Sequence, residues 1–167
     1  AFDGVVPAHD ITLYAKWDVQ SVNYTVKHCL QNANDDGYSL EAQENFNADT
    51  DTVVTPEVKN YDGFTAPEKQ QVTVEGDGTT TVIYRYTRNV HTLTLKNYDG
   101  KTDKTVEARY EMSIPKPTRA GYAFAGWYTD AKCTKEYKAN MSDQDLTLYA
   151  KWEANIVNYV VEHYQQN

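Results

Sequence analysis

Apolar and polar residues alternate with period two along most of the chain. Ile11, Leu13, Ala15 and Trp17 fall on one face, against Thr12, Tyr14 and Lys16 on the other. Val22, Tyr24, Val26 and His28 share a face in the same way, as do Val82, Tyr84 and Tyr86. Successive side chains of an extended backbone point to opposite sides, so this alternation predicts half-buried strands. Further strands are expected over 71–75, 91–96, 105–110, 146–152 and 157–163. Fourteen tyrosines and frequent Thr and Val agree with a pleated surface. Asp36-Gly37, Asp62-Gly63, Gly76-Asp77-Gly78 and Asp99-Gly100 are turn sequences, and Pro56, Pro67, Pro115 and Pro117 mark loops. One stretch, 39–45, reads as helix with Ser39 as its cap, although Ala42 stands where a capping box would need Glu or Gln. The fold class expected is mainly β, α+β at most.

The pattern also repeats. Residues 11–32 align without a gap on 146–167, with 13 identities in 22 positions: Thr12 to Trp17, Val22, Asn23, Tyr24, Val26, His28, Gln31 and Asn32 each recur 135 residues later. Because the shared stretch lies at the two ends, the chain reads as a window on a longer tandem array. Residues 1–17 are then expected to be the last strand of a preceding unit, 18–88 and 89–152 two small modules, and 153–167 the first strand of the next unit. Trp17 would be stranded without most of its partners, so 1–17 should be ordered only by packing on a neighbouring module or another molecule.

Charge narrows the partners. The net charge of −8 and pI near 4.9 argue against nucleic acid, whose phosphates call for clustered Lys and Arg. No apolar run approaches the ~20 residues of a membrane helix. Cys29 lies opposite Tyr164 across the repeat, so its position does not require sulfur. Cys29 and Cys133 are therefore expected to be separate half-buried thiols rather than a disulfide.

Candidate chemistry is sparse. Asn32-Ala-Asn-Asp-Asp-Gly37 echoes a calcium loop but has Asn at the first ligand position and Gln43 at the last, which favours a plain turn. His9, His28, His91 and His163 lack metal-ligand spacing. No nucleophile elbow, phosphate loop or zinc-protease helix is present. The chain is expected to be no enzyme, with no cofactor, metal or catalytic residue. Turn aromatics remain as ligand candidates: Tyr61, Phe64, Tyr98 and Tyr128. Tyr61 and Tyr98 sit in one repeated pentapeptide, Lys-Asn-Tyr-Asp-Gly, and are the two candidate ligand-binding residues, although a favoured hairpin explains the repetition more simply.

Residues 91–152 resemble the internalin B-repeat, or Listeria-Bacteroides repeat, family. The likeness rests on Leu93-Thr-Leu-Lys-Asn-Tyr-Asp-Gly100, then on the run from Pro115 to Asp130 with its Gly-Tyr-x-Phe-x-Gly-Trp-Tyr core, on Cys133, and on Leu146-Thr-Leu-Tyr-Ala-Lys-Trp152. Residues 21–88 resemble, more weakly, the mucin-binding-protein (MucBP) repeat. That likeness rests on a first strand 22–30, Asp51-Thr-Val-Val-Thr-Pro56, a turn at 61–64, and Val72 to Tyr86. The resemblance implies tandem β-grasp, ubiquitin-like modules in an elongated array on a Gram-positive, extracellular cell surface. It implies a stalk or spacer segment of an adhesin, with host mucin or glycan as partner, or alternatively a receptor module with a defined mucin site. Neighbouring repeats of the chain are further partners, and exposed sheet edges make self-association through edge strands another expectation. Intramolecular Lys–Asn isopeptide bonds occur in such surface proteins.

Overall fold

The computed structural model describes residues 10–166. Among these residues the regular structure is all strand. The first module holds β1 (Ser21–Gln31), β2 (Tyr38–Asp49), β3 (Val53–Val54), β4 (Phe64–Thr65), β5 (Val72–Thr73) and β6 (Thr81–Arg88). The second holds β7 (Val90–Lys96), β8 (Lys104–Arg109), β9 (Tyr122–Tyr128), β10 (Glu136–Tyr137) and β11 (Leu146–Ala154).

Both modules are built on one plan. Their main sheets run β2-β1-β6-β4 and β8-β7-β11-β9-β10, while β3 and β5 form a separate two-stranded ladder. In each sheet the first two strands make an antiparallel hairpin, and the first strand then pairs parallel with the last, β1 with β6 and β7 with β11. Parallel neighbours require a crossover, usually a helix. Here no helix makes the crossover: β4 in the first module and β9 with β10 in the second return to the sheet, and the loops around 55–61 and 112–117 lie over one sheet face. The core of each module is the layer in between: Tyr24, Val26, Val74, Val82, Tyr84 and Tyr86 in the first, Leu93, Leu95, Ala108, Trp127, Met141, Leu148 and Ala150 in the second.

The alternation read from sequence is the alternation of burial. Tyr24, Val26 and His28 are the buried residues of β1, and Val82, Tyr84 and Tyr86 those of β6. The 39–45 helix is overturned. That stretch lies inside β2, paired residue by residue with β1 from Ser21↔Asp49 to Gln31↔Tyr38. Its helix-favouring residues lose because a ladder with β1 satisfies every second backbone group, and Ala42 and Glu44 are half-buried with period two. The one irregularity, between His28 and Cys29, places Glu41 as an extra residue on β2.

Strand β9 was legible only as a glycine-bracketed aromatic motif. An odd spacing should send Phe124 and Trp127 to opposite faces, yet their rings pack edge to face at 5.2 Å. A register shift reconciles this: Lys151 pairs with Gly126 and Trp152 with Phe124, leaving Ala125 as an extra residue. Gly126 carries the bulge at φ +128°, a conformation L side chains rarely adopt. Phe124 then stacks edge-on against Trp152 as well, at 5.6 Å.

The expected strands over 11–17 and 157–163 are not formed by the described residues. Residues 10–20 and 155–166 pair with no strand, and Leu13, Tyr14, Trp17, Ile156, Val157 and Tyr159 are all more than half exposed. The same Thr-Leu-Tyr-Ala-Lys-Trp sequence is a central strand at 147–152 and an unpaired segment at 12–17 because only the first has ladder partners. Amide exchange should therefore be fast throughout 11–17 and strongly protected over 147–152, as measured by mass spectrometry on the intact chain. Leu148→Ala should destabilise the second module by about 2–5 kcal/mol in urea unfolding, as large-to-small changes at fully buried positions do.

Candidate functional site

Tyrosine hydroxyls and an indole fasten the irregular crossovers to the sheets. Tyr84 Oη donates to the Pro56 carbonyl at 2.7 Å, and Tyr86 Oη accepts the Lys59 amide at 2.9 Å. In the second module Trp127 Nε1 donates to the Pro115 carbonyl at 3.0 Å. The crossover of the first module is thereby held beside β2, and a cleft of about 360 Å³ remains between them, lined by Tyr24, Val26, Glu44, Phe46, Thr55, Pro56, Glu57 and Lys59. Tyr24 and Phe46, opposite one another on β1 and β2, stack at 5.5 Å. Lys59 Nζ reaches across to Glu44 Oε1 at 3.0 Å, and this bond is the first cause holding the Glu44 carboxyl below the usual range.

Beside the cleft lies His28, fully buried. Its Nδ1 meets Tyr86 Oη at 2.7 Å, and its Nε2 stands 3.4 Å from Glu44 Oε2. The longer contact is an ion-pair distance with no properly formed hydrogen bond, so Nε2 is the one poorly satisfied atom of the network. Burial, then the Lys59 charge, pull the imidazole below the ordinary histidine range, opposed by Glu44. The arrangement can hold a flat, partly polar group against Phe46 and the Glu44–Lys59 pair. Among the described residues no three His, Cys, Asp or Glu side chains converge as metal ligands.

Tyr61 and Tyr98 are both half-buried and packed inward, each on its own core. Tyr61 sits edge-on to Tyr86 at 4.8 Å, and Tyr98 lies over Trp127 at 6.3 Å with Lys104 Nζ on its ring. Their shared pentapeptide folds in two ways. At 61–64 the Phe64 amide closes the turn on Tyr61, with Gly63 at φ +78°. At 97–100 the Gly100 amide closes on Asn97, which itself takes φ +56°, and Asp103 accepts from the Asn97 amide. Phe64 lies edge-on to Tyr110, and Tyr128 is buried. The Asn32–Gly37 segment is a turn whose Asp35 carboxylate accepts from the Gly37 amide and the Asn32 side chain. Cys29 and Cys133 are free, half-buried thiols. His91 pairs with Asp143, His163 is exposed, and His9 lies outside the described residues.

Sequence reasoning missed the junction between modules. Asn89 is the single residue between β6 and β7. Arg88 fills the corner: its Nε donates to the Gln31 carbonyl at 2.6 Å, its Nη1 to the Tyr110 carbonyl at 3.1 Å and to Glu111 Oε2 at 2.5 Å, and its guanidinium covers the Phe64 ring at 4.6 Å. A second seam joins Arg109 to Asp35 and Asp36, and Ser113 to Asn34. Gly63 faces the Tyr110 ring so closely that any Cβ would overlap it. No periodicity announces such contacts, which join residues up to 79 positions apart.

Residues 91–151, the stretch that folds as the second module, match the Listeria-Bacteroides repeat domain family. Two relatives come from Evansella cellulosilytica. One is named "Putative Gly-rich membrane protein", 26% identical over 161 residues, covering 89% of this chain and 18% of its own length. The other is named "Putative membrane protein", 29% identical over 157 residues, covering 87% of this chain and 23% of its own length. The chain thus spans less than a quarter of either relative. Among the described residues no helix is long and apolar enough to cross a membrane.

Tyr61→Ala should lower the stability of the first module by about 2–3 kcal/mol in urea unfolding, since a half-buried ring on the core is removed. A change below ~0.5 kcal/mol would mean that the ring is free to serve a ligand instead.

Proposed function

We propose that the chain is a non-catalytic repeat segment of a bacterial cell-surface adhesin, acting as a stalk that holds more distal parts away from the cell. The observation that carries this reading is the junction at Arg88. Two small modules joined by a flexible linker would collapse the reach of an array, whereas a one-residue connection crossed by a half-buried guanidinium and a second polar seam fixes the angle between them. Each module is a helix-free β-grasp unit, with the parallel first and last strands at the sheet centre. The first is a MucBP-like module over 18–88.

The flanking segments belong to neighbouring units of the same array. The residues of 157–163 that would face a core, Tyr159, Val161 and His163, repeat the buried Tyr24, Val26 and His28 of β1, while Thr25 and Lys27 are replaced. Leu13, Ala15 and Trp17 likewise repeat Leu148, Ala150 and Trp152 of β11. Identity at the core-facing positions is what a strand of an adjoining module needs. The relatives' names are in keeping with a surface location, and weak contacts with host mucin or glycan would be multiplied by repetition, by 10²–10⁴-fold on the order of magnitude typical of linked sites.

A second reading is favoured by the cleft: exposed Phe46 beside the Glu44–Lys59 pair has the composition of a receptor site for a sugar ring. Screening the segment and a tandem of two copies against host mucins and glycans separates the readings. Silence from both supports the stalk; saturable binding by the single segment, lost in Phe46→Ala, supports the receptor. The junction is tested separately by residual dipolar couplings. The parent chain should give one alignment tensor for both modules, and Arg88→Ala should give two. Two tensors in the parent would remove the basis of the stalk.

A further inference from the structure

The network around His28 has a proton count that works in only one charge state. The Lys59 amide can only donate, so Tyr86 Oη accepts from it. The Tyr86 hydroxyl proton is then free for His28 Nδ1 at 2.7 Å, which must be unprotonated. The single ring proton of neutral His28 therefore lies on Nε2, facing Glu44 Oε2. Every buried proton in this arrangement has an acceptor, though the last is distant.

Imidazolium upsets it. Both ring nitrogens must then donate, Tyr86 Oη must accept from Nδ1 as well as from Lys59, and the Tyr86 proton is left in the core without an acceptor. The groups facing His28 are Glu44 from β2, Lys59 and Tyr61 from the crossover, and Tyr84 and Tyr86 from β6. Of these only Glu44 could balance a positive ring, and it already holds Lys59 across the cleft. If Glu44 turns to the imidazolium it weakens that bridge; if it stays, a charge is buried at an ion-pair distance with no good hydrogen bond.

We propose that His28 is the acid-sensitive fastener of the first module: protonation of its buried ring loosens β2 from the 55–61 crossover and opens the cleft between Phe46, Glu44 and Lys59, while the second module stays closed. The lowered imidazole affinity for protons supports the same direction. The unfolded chain takes up a proton near the ordinary value of 6.5, and the folded chain only at lower pH. The stability that neutral His28 contributes is thus present above about 6.5 and is lost as pH falls through the window down to the folded value. The second module has no counterpart among the described residues, since its histidine, His91, is partly exposed and paired with Asp143. His163 repeats His28 135 residues further on.

Two measurements on the intact chain test this. Imidazole nitrogen shifts at about pH 7.5 should show His28 neutral with its proton on Nε2. Amide exchange corrected for intrinsic pH dependence should then be compared at about pH 7.5 and pH 5. The expected result is roughly tenfold faster exchange over 38–49 and 55–61 at the lower pH, none over 146–154, and a flat response in His28→Gln. A proton on Nδ1 at neutral pH, equal acceleration in both modules, or acceleration that persists in His28→Gln would each overturn the proposal. Should His28→Gln fail to fold, the titration of the parent's own His28 against local exchange decides the matter: opening that does not follow its charge overturns the proposal too.

Discussion

Everything in each module depends on a parallel pair of strands that no helix connects. β1 with β6 and β7 with β11 close the sheets through their centres, and a parallel closure commits the chain to crossing over one face. A helix would satisfy its own backbone on the way. An irregular crossover does not, so its carbonyls and amides must find partners on the sheet beneath. Pro56, Lys59 and Pro115 find them in Tyr84, Tyr86 and Trp127. Tyr84 and Tyr86 meet this need because each ring supplies apolar surface and a polar tip that reaches the overlying loop.

The same economy explains why the first module's core contains a histidine. Tyr86 already serves the crossover, and His28 takes its remaining hydrogen bond, linking β1, β6 and the loop at one point. With Nδ1 held by Tyr86 and Nε2 only loosely served by Glu44, this network has no acceptor to spare, which makes it sensitive to one added proton. The second module solves the corresponding problem with the Trp127 indole, which has one donor and no titration in the working range, and with a bulge at Gly126 that brings Phe124 and Trp127 to one side. Two modules of one topology thus differ in what solution conditions can do to them.

The junction adds a third level. Arg88 ends β6, yet its contacts are with Gln31, Phe64, Tyr110 and Glu111, two residues from each module. A planar cation half-withdrawn from water between two aromatic rings, with carbonyls in the plane of its donors, fixes direction as well as distance. With Asn89 alone between the modules, the chain has little freedom left to lose at that corner. The module that matches the Listeria-Bacteroides repeat and the module before it are in this way joined by side chains as well as by the backbone.

The strands with strict alternation, their buried faces, the turns, the free thiols and the repeat over 91–151 were all legible from the order of residues, because period-two burial is a local property that any strand with one wet face must show. The tertiary structure alone decided the rest. Residues 39–45 became strand because β1 offered a ladder, and residues 12–17 did not because nothing did. The pentapeptide around Tyr61 and Tyr98 took two turns according to which distant groups accepted its amides. Glu44, Lys59, Phe46 and Arg88 carry no periodic signal: their roles arise from where an irregular crossover and a one-residue connection bring them, and contacts between residues far apart in sequence are fixed by packing that no local pattern encodes.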